Sequence, residues 1–139
     1  MNELEKDSVG LTKNISYMKT ILIVDDEEDD LESMNQILKK EGYNVVTSSN
    51  GPEVLKKLGE NNVDLILMDI LMPTLSGYDV LRILREKLAH NIPVVFVSIK
   101  PEKEVDMTNV DGFVQKPFNP SVLVNEINRA ITKTNKSIW

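Results

Sequence analysis

The sequence predicts an α/β fold in which a parallel β-sheet lies between two layers of helices. Short hydrophobic runs rich in β-branched residues recur along the 139-residue chain and alternate with longer segments whose apolar residues return at helical spacing. The short runs lack polar alternation, which indicates strands that are buried on both faces. Repeated strand–helix alternation of this kind is typical of a doubly wound α/β protein.

Five strands and four clear helices follow from this pattern. The predicted strands are Thr20–Val24, Val45–Ser48, Asp64–Met68, Val94–Val97 and a short fifth strand around Phe113–Val114. Helices are predicted from the apolar positions Leu31, Met34, Ile37 and Leu38; Val54, Leu55 and Leu58; Val80, Leu81, Leu84 and Leu88; and Leu123, Ile127, Ala130 and Ile131. Gly42 ends the first helix, Pro52 suits the first turn of the second, and Asn119 caps the last.

Composition limits the classes of protein to be considered. The chain has no cysteine, which excludes disulfides and thiolate zinc sites and favours a reducing, cytoplasmic location. Its single histidine, His90, excludes a site built on two imidazoles. The formal charge of −6 argues against nucleic acid as a direct partner, because phosphate binding needs a basic surface. No apolar run is long enough to cross a membrane.

One domain is expected, at residues 19–132. Residues 1–18 are mostly polar and lack the pattern of a secretion signal, so we predict a flexible N-terminal leader there and a short C-terminal tail at residues 133–139. Too few residues follow position 132 for a second domain. The chain is therefore expected to be either a stand-alone protein or a domain taken from a longer one.

Polar and charged residues follow four of the five predicted strands. Asp25 and Asp26 follow the first strand, Asp69 the third and Lys116 the fifth, while Ser98 ends the fourth. Because ligands of open parallel sheets bind beyond the carboxyl ends of the strands, we expect these side chains to meet at one edge of the sheet. The acids from Glu28 to Asp30 are interpreted differently, as complements to the dipole of the first helix.

Three carboxylates at one place require a cation. Like charges about 4 Å apart repel by about 4 kcal/mol per pair near a protein surface, and one lysine cannot offset three anions. A donor set of oxygens alone favours Mg²⁺ over zinc or copper, and Mg²⁺ usually shares its sites with phosphate oxygens. A carboxylate, Mg²⁺, an ammonium group and a hydroxyl together suit phosphoryl transfer to the carboxylate.

Four segments closely resemble receiver domains of two-component signalling, in the manner of the chemotaxis regulator. They are Ile21–Glu27, Asp64–Pro73, Pro93–Ser98 and Gly112–Phe118, and the resemblance spans roughly residues 19–132. It implies a five-stranded sheet with the flavodoxin-like strand order 2-1-3-4-5, and a signalling domain rather than an enzyme. It also implies Asp69 as the acceptor of a phosphoryl group from a sensor histidine kinase or a phosphotransfer protein, with an unknown downstream protein as the output partner.

The same resemblance assigns the remaining site residues. Asp26 and Asp69 would ligate Mg²⁺ directly together with the Leu71 carbonyl, and Asp25 would act through water. The switch residues would be Ser98 and Phe113; Lys116 would contact the phosphoryl group, and the bond between it and Pro117 is expected to be cis.

The chain departs from the family pattern in two places. The stretch from Lys100 to Asn109 is polar and contains Pro101, which predicts a short or irregular fourth helix. The second departure concerns the residue two positions after the acceptor, Leu71, and the residue two positions after the switch hydroxyl, Lys100. Neither side chain is a carboxylate or an amide that could orient a water molecule for hydrolysis. We therefore expect slow autodephosphorylation.

Other classes fit the sequence less well. A flavodoxin-like electron carrier needs a hydroxyl-rich phosphate loop after the first strand, where this chain has acids. A haloacid-dehalogenase-type phosphatase needs a second aspartate, which the segment after Asp69 lacks. A Ca²⁺ loop needs alternating acids with a central glycine, and the acids that follow the first strand have neither feature. The alternative left open is a receiver-like interaction module that does not cycle phosphate.

Overall fold

The structure is a computed structural model that describes residues 19–87 and 91–136. Its strands are β1 (Thr20–Val24), β2 (Asn44–Ser48), β3 (Leu65–Met68), β4 (Val94–Ser98) and β5 (Gly112–Gln115). Its α-helices are α1 (Glu28–Lys40), α2 (Gly51–Glu60), α3 (Gly77–Lys87) and α4 (Pro120–Lys136). The predicted leader, residues 1–18, and the end of the predicted tail, residues 137–139, lie outside the described residues.

The five strands form one parallel sheet in the order β2-β1-β3-β4-β5, which confirms the predicted topology. The register brings the ends of β1 and β3 together, because Val24 lies opposite Met68. At the other side of the sheet, Ser98 lies opposite Gln115. The residues that follow these strands therefore start from one edge of the sheet.

Alternation of side chains along the strands produces two separate cores. On one face, the strands pack against α1 and α4 through the buried residues Ile21, Ile23, Leu65, Leu67, Val95, Val97 and Val114 with Met34, Leu38, Leu123, Ile127, Ala130 and Ile131. On the other face, they pack against α2 and α3 through Leu22, Val24, Ile66, Met68, Val94, Phe96 and Phe113 with Val54, Val80, Leu81 and Leu84. Burial on both faces explains why the strand sequences are continuously hydrophobic.

The segment between β4 and β5 has only one turn of 3₁₀-helix, Glu102–Glu104, in which no residue is buried. This confirms the predicted short or irregular fourth helix. Tyr78 of α3 holds the segment in two ways. The backbone N–H of Asp106 donates to the Tyr78 hydroxyl at 3.0 Å, and the Lys100 ammonium lies 5.1 Å from the centre of the Tyr78 ring.

The last helix, α4, continues to Lys136, past the domain end at residue 132 that the sequence suggests. Its apolar face toward the sheet ends with Ala130 and Ile131, which are buried. In residues 19–87 and 91–136, no helix combines the length and the apolar character needed to cross a membrane.

Candidate functional site

Three carboxylates meet where β1 and β3 end. Asp25 and Asp26 follow β1 directly, and Asp69 follows β3. One carboxylate oxygen from each of the three lies within 4.8 Å of the others. Asp25 is fully buried and Asp69 is 5% exposed, whereas Asp26 is exposed to solvent. These three residues form an acidic pocket at the carboxyl edge of the sheet, where the sequence predicts it.

Lys116, the residue after β5, extends its side chain into the acidic pocket. Its Nζ lies 2.7 Å from Oδ2 of Asp25 and 3.4 Å from Oδ2 of Asp69. The backbone N–H of Lys116 donates to the carbonyl of Ser98 at 2.8 Å and so continues the pairing of β4 with β5. Lys116 is therefore held at both its backbone and its ammonium group.

A carboxylate from outside the acidic pocket, that of Asp30, also reaches this lysine. Asp30 lies in the first turn of α1, and its Oδ2 is 2.9 Å from Lys116 Nζ. The sequence assigns Asp30 only to the helix dipole, and its position in the first turn agrees with that assignment. The contact with Lys116 has no signal in the sequence, because it depends on the path of α1 over the edge of the sheet.

Burial sets the protonation behaviour of the buried pair. Desolvation raises the pKa of Asp25 to about 6, although hydrogen bonds from Lys116 and from the backbone N–H of Glu27 oppose the rise. For Lys116, burial by itself would lower the pKa, but hydrogen bonds to Asp25 and Asp30 outweigh it and raise the pKa above its usual value. The lysine therefore remains charged.

Backbone contacts fix the orientation of two of the carboxylates. Oδ1 of Asp25 accepts a hydrogen bond from the Glu27 N–H at 2.9 Å, and Oδ1 of Asp69 accepts one from the Leu71 N–H at 3.3 Å. Gly77, the first residue of α3, packs directly on this segment. A Cβ at Gly77 would lie 2.4 Å from the backbone oxygen of Asp69, so α3 can approach the acidic pocket only without a side chain there.

The residues predicted to respond to phosphorylation lie on β4 and β5. Ser98 is fully buried, and its hydroxyl oxygen accepts a hydrogen bond from the Lys100 N–H at 3.3 Å. Phe113 is 7% exposed and belongs to the core under α2 and α3. The peptide bond between Lys116 and Pro117 is cis. Leu71 is 49% exposed beside the acidic pocket.

The chemistry of the donor set limits what this pocket can bind. The pocket supplies carboxylate oxygens, which hard divalent cations such as Mg²⁺ prefer. The adjacent ammonium group attracts anions, and a site that attracts both a hard cation and an anion suits a phosphoryl group.

Comparisons with known proteins agree with this fold. Residues 21–128 match the sequence model of the response regulator receiver domain. Response regulator SaeR of Staphylococcus aureus (strain USA300) is 35% identical over 124 residues, which cover 86% of this chain and 53% of SaeR. The chain thus spans about half the length of this curated relative. It belongs to the response regulator receiver family.

Two solved structures illustrate the likeness of the fold. Response regulator protein TrrA of Thermotoga maritima, in complex with Mg²⁺–BeF, has a TM-score of 0.74 and 33% identity, covering 81% of this chain and 99% of that one. The chemotaxis response regulator CheY4 of Vibrio cholerae has a TM-score of 0.72 and 27% identity, covering 81% of this chain and 98% of that one. The chain is therefore a signalling domain with a CheY-like fold.

Proposed function

We propose that this receiver domain accepts a phosphoryl group on Asp69 and changes one of its surfaces in response. The observation that carries the proposal is the meeting of three carboxylates with one buried lysine, contributed by residues that follow three different strands. In the transfer, an oxygen of Asp69 bonds to phosphorus as the bond between phosphorus and the leaving group of the donor breaks. A sensor histidine kinase or a phosphotransfer protein is the proposed donor.

The residues of the acidic pocket fit Mg²⁺. Asp26 and Asp69 would hold the ion together with the Leu71 carbonyl, and Asp25 would contribute through water. When bound, Mg²⁺ supplies positive charge that offsets the negative charge of the incoming phosphoryl oxygens. The Lys116 ammonium supplies further positive charge from the protein itself, because its pKa is raised above its usual value and it stays protonated.

Ser98 and Phe113 are the proposed switch residues. The Ser98 hydroxyl accepts a hydrogen bond from Lys100 and keeps its own proton available for a phosphoryl oxygen. If this hydroxyl turns toward the phosphoryl group, the packing above it must adjust, and Phe113 lies on the neighbouring strand β5. Phosphorylation would then shift the population between two arrangements, by as much as the phosphoryl group prefers one of them.

Phosphorylation with a small donor tests this proposal. Wild-type protein is incubated with acetyl phosphate, with and without Mg²⁺, and the modified peptide is located by mass spectrometry. We expect an acid-stable, base-labile phosphoryl group on Asp69 that requires Mg²⁺ and is absent from Asp69→Asn. Asp106→Asn, at an exposed acid outside the pocket, is the matched control and should be labelled as wild type is.

Labelling that persists in Asp69→Asn would show that another residue is the acceptor. A wild-type protein that takes no label from acetyl phosphate or from a histidine kinase would indicate the alternative function, an interaction module that does not cycle phosphate.

We also propose that the phosphoryl group is lost slowly. Hydrolysis needs a water molecule oriented toward phosphorus. The side chains two residues after Asp69 and two residues after Ser98 provide no acceptor for its protons, because Leu71 is apolar and Lys100 has only donors. Loss of label from purified phosphoprotein measures this directly. Leu71→Gln, which adds an amide at the rim, is expected to speed the loss several-fold, and a wild-type rate that already equals that of the variant would contradict the proposal.

A further inference from the structure

The ammonium group of Lys116 is surrounded by carboxylates in the unphosphorylated protein. An ammonium has three N–H donors, and three carboxylate oxygens lie around Nζ: Asp25 at 2.7 Å, Asp30 at 2.9 Å and Asp69 at 3.4 Å. A phosphoryl group on Asp69 replaces the longest of these contacts with its own oxygens. It also brings additional negative charge next to the carboxylates that remain.

The three carboxylates differ in how easily they can leave the lysine. The Asp25 side chain is fully buried and also accepts a hydrogen bond from the Glu27 N–H. The Asp69 side chain is 6% exposed and accepts a hydrogen bond from the Leu71 N–H. The side chain of Asp30 is 40% exposed, at the first turn of α1, and the structure gives it no second partner. Water can solvate the Asp30 carboxylate when its side chain turns outward. Of the three carboxylates, Asp30 therefore has the smallest free-energy cost of leaving Lys116.

We propose that Asp30 is a positioning residue that occupies Lys116 in the unphosphorylated protein and is displaced when Asp69 accepts the phosphoryl group. This inference rests on the proposed function of Asp69 and adds a property of this chain to it. Asp30 competes with the phosphoryl group for the same ammonium, and therefore slows phosphorylation and weakens the phosphorylated arrangement. Its release also places a free carboxylate on the first turn of α1 after phosphorylation.

The neutral variant Asp30→Asn tests the competition. We expect it to accept phosphate from acetyl phosphate about fivefold faster than wild type, because the ion pair of a half-exposed carboxylate contributes about 1 kcal/mol, and 1.36 kcal/mol corresponds to a factor of ten. Its affinity for beryllofluoride, a phosphoryl mimic, should rise by a similar factor in the presence of Mg²⁺. Asp30→Glu retains a carboxylate and should return most of the wild-type behaviour.

Two controls separate this effect from a general change in charge. Asp29 is an exposed acid in the same turn of α1, and it forms no ion pair with Lys116. Asp29→Asn should leave the phosphorylation rate and the beryllofluoride affinity within about twofold of wild type. In a Lys116→Ala background, Asp30→Asn should have no further effect, since the two residues act through one contact.

Equal gains from Asp29→Asn and Asp30→Asn would overturn the proposal, because general charge would then account for the effect. A slower reaction in Asp30→Asn would also overturn it and would show that Asp30 helps Lys116 instead. These outcomes are distinct from a failure of the proposed function, in which the wild-type protein itself takes no label on Asp69.

Discussion

At the scale of single residues, Asp25 is a buried acid whose ionised form is poorly solvated. It is fully buried, and desolvation raises its pKa from 3.8 to about 6 even though Lys116 lies 2.7 Å away. A raised pKa means that the folded protein holds this proton more tightly than the unfolded chain does. Between about pH 4 and pH 6, Asp25 therefore makes the metal-free protein less stable as the pH rises.

Asp25→Asn should consequently stabilise the metal-free protein at neutral pH. The shift of the Asp25 pKa corresponds to a gain on the order of 3 kcal/mol at pH 7.5, which shrinks toward zero at pH 4 as the wild-type carboxyl becomes protonated. Urea unfolding in the presence of a chelator, at both pH values, measures the difference. A gain of the same size at pH 4 would show that the charge of Asp25 is not its cause.

At the scale of elements, the approach of α3 to the end of β3 has a strict steric requirement. A Cβ at Gly77 would lie 2.4 Å from the Asp69 backbone oxygen and 2.9 Å from Cα of Ile70, and backbone atoms cannot move aside as a flexible side chain does. The Gly77 N–H also donates to the Ile70 carbonyl at 2.8 Å. Gly77 thus lets α3 begin directly beside the proposed acceptor.

Gly77→Ala should destabilise the protein by about 1–3 kcal/mol, because α3 must move away from β3 to relieve the overlap. The same displacement should slow the phosphorylation of Asp69. Gly59→Ala is the matched control: a Cβ there meets no atom within 4 Å, and alanine in α2 should stabilise by about 0.5–1 kcal/mol. Thermal unfolding of the two variants gives the comparison, and a neutral Gly77→Ala would contradict the close approach.

The segment that replaces a fourth helix is the other notable element. Its 3₁₀ turn buries no residue, so helix packing contributes little to its position. Tyr78 supplies two of its links to α3, since its hydroxyl accepts the Asp106 N–H and its ring lies below the Lys100 ammonium. Because the Lys100 N–H also donates to the Ser98 hydroxyl, a movement of Ser98 would be transmitted directly to this segment.

At the scale of the whole molecule, the parallel sheet concentrates negative charge at one edge. Asp25, Asp26 and Asp69 form the acidic pocket, and the carboxylate of Asp30 lies on the lysine beside it, in a chain whose formal charge is −6. Repulsion among these groups opposes folding, and a divalent cation that binds only the folded protein would offset it.

Mg²⁺ should therefore stabilise the folded protein at pH 7.5. A concentration one hundred times the dissociation constant should add about 2.7 kcal/mol to the free energy of unfolding, measured as a rise in the thermal midpoint. Asp26→Asn should lose most of this rise, whereas Asp106→Asn should keep it. Sodium chloride at matched ionic strength controls for screening, and an equal rise with that salt would argue against a bound ion.

Much of the fold could be predicted from the sequence because its signals are local. The continuous hydrophobic strands, the helical spacing of residues such as Met34 and Leu38, and the polar stretch after Lys100 each reflect a short segment of chain. The sequence also indicated which side chains follow the strands, and hence the acidic pocket with Lys116. It did not indicate the contact of Asp30 with Lys116 or the close approach of Gly77 to Asp69.

By itself, the sequence determined the order of strands and helices along the chain and the residue types at the carboxyl edge of the sheet. Hydrophobic periodicity and the ends of strands depend only on residues that are close together in the sequence. Only the tertiary structure decided how those residues share their charges. Lys116 and Asp25 are 91 positions apart in the chain, and their distance depends on the register of the strands that lie between them in the sheet. Electrostatic interactions change steeply with distance and burial, and both quantities exist only once the chain is folded.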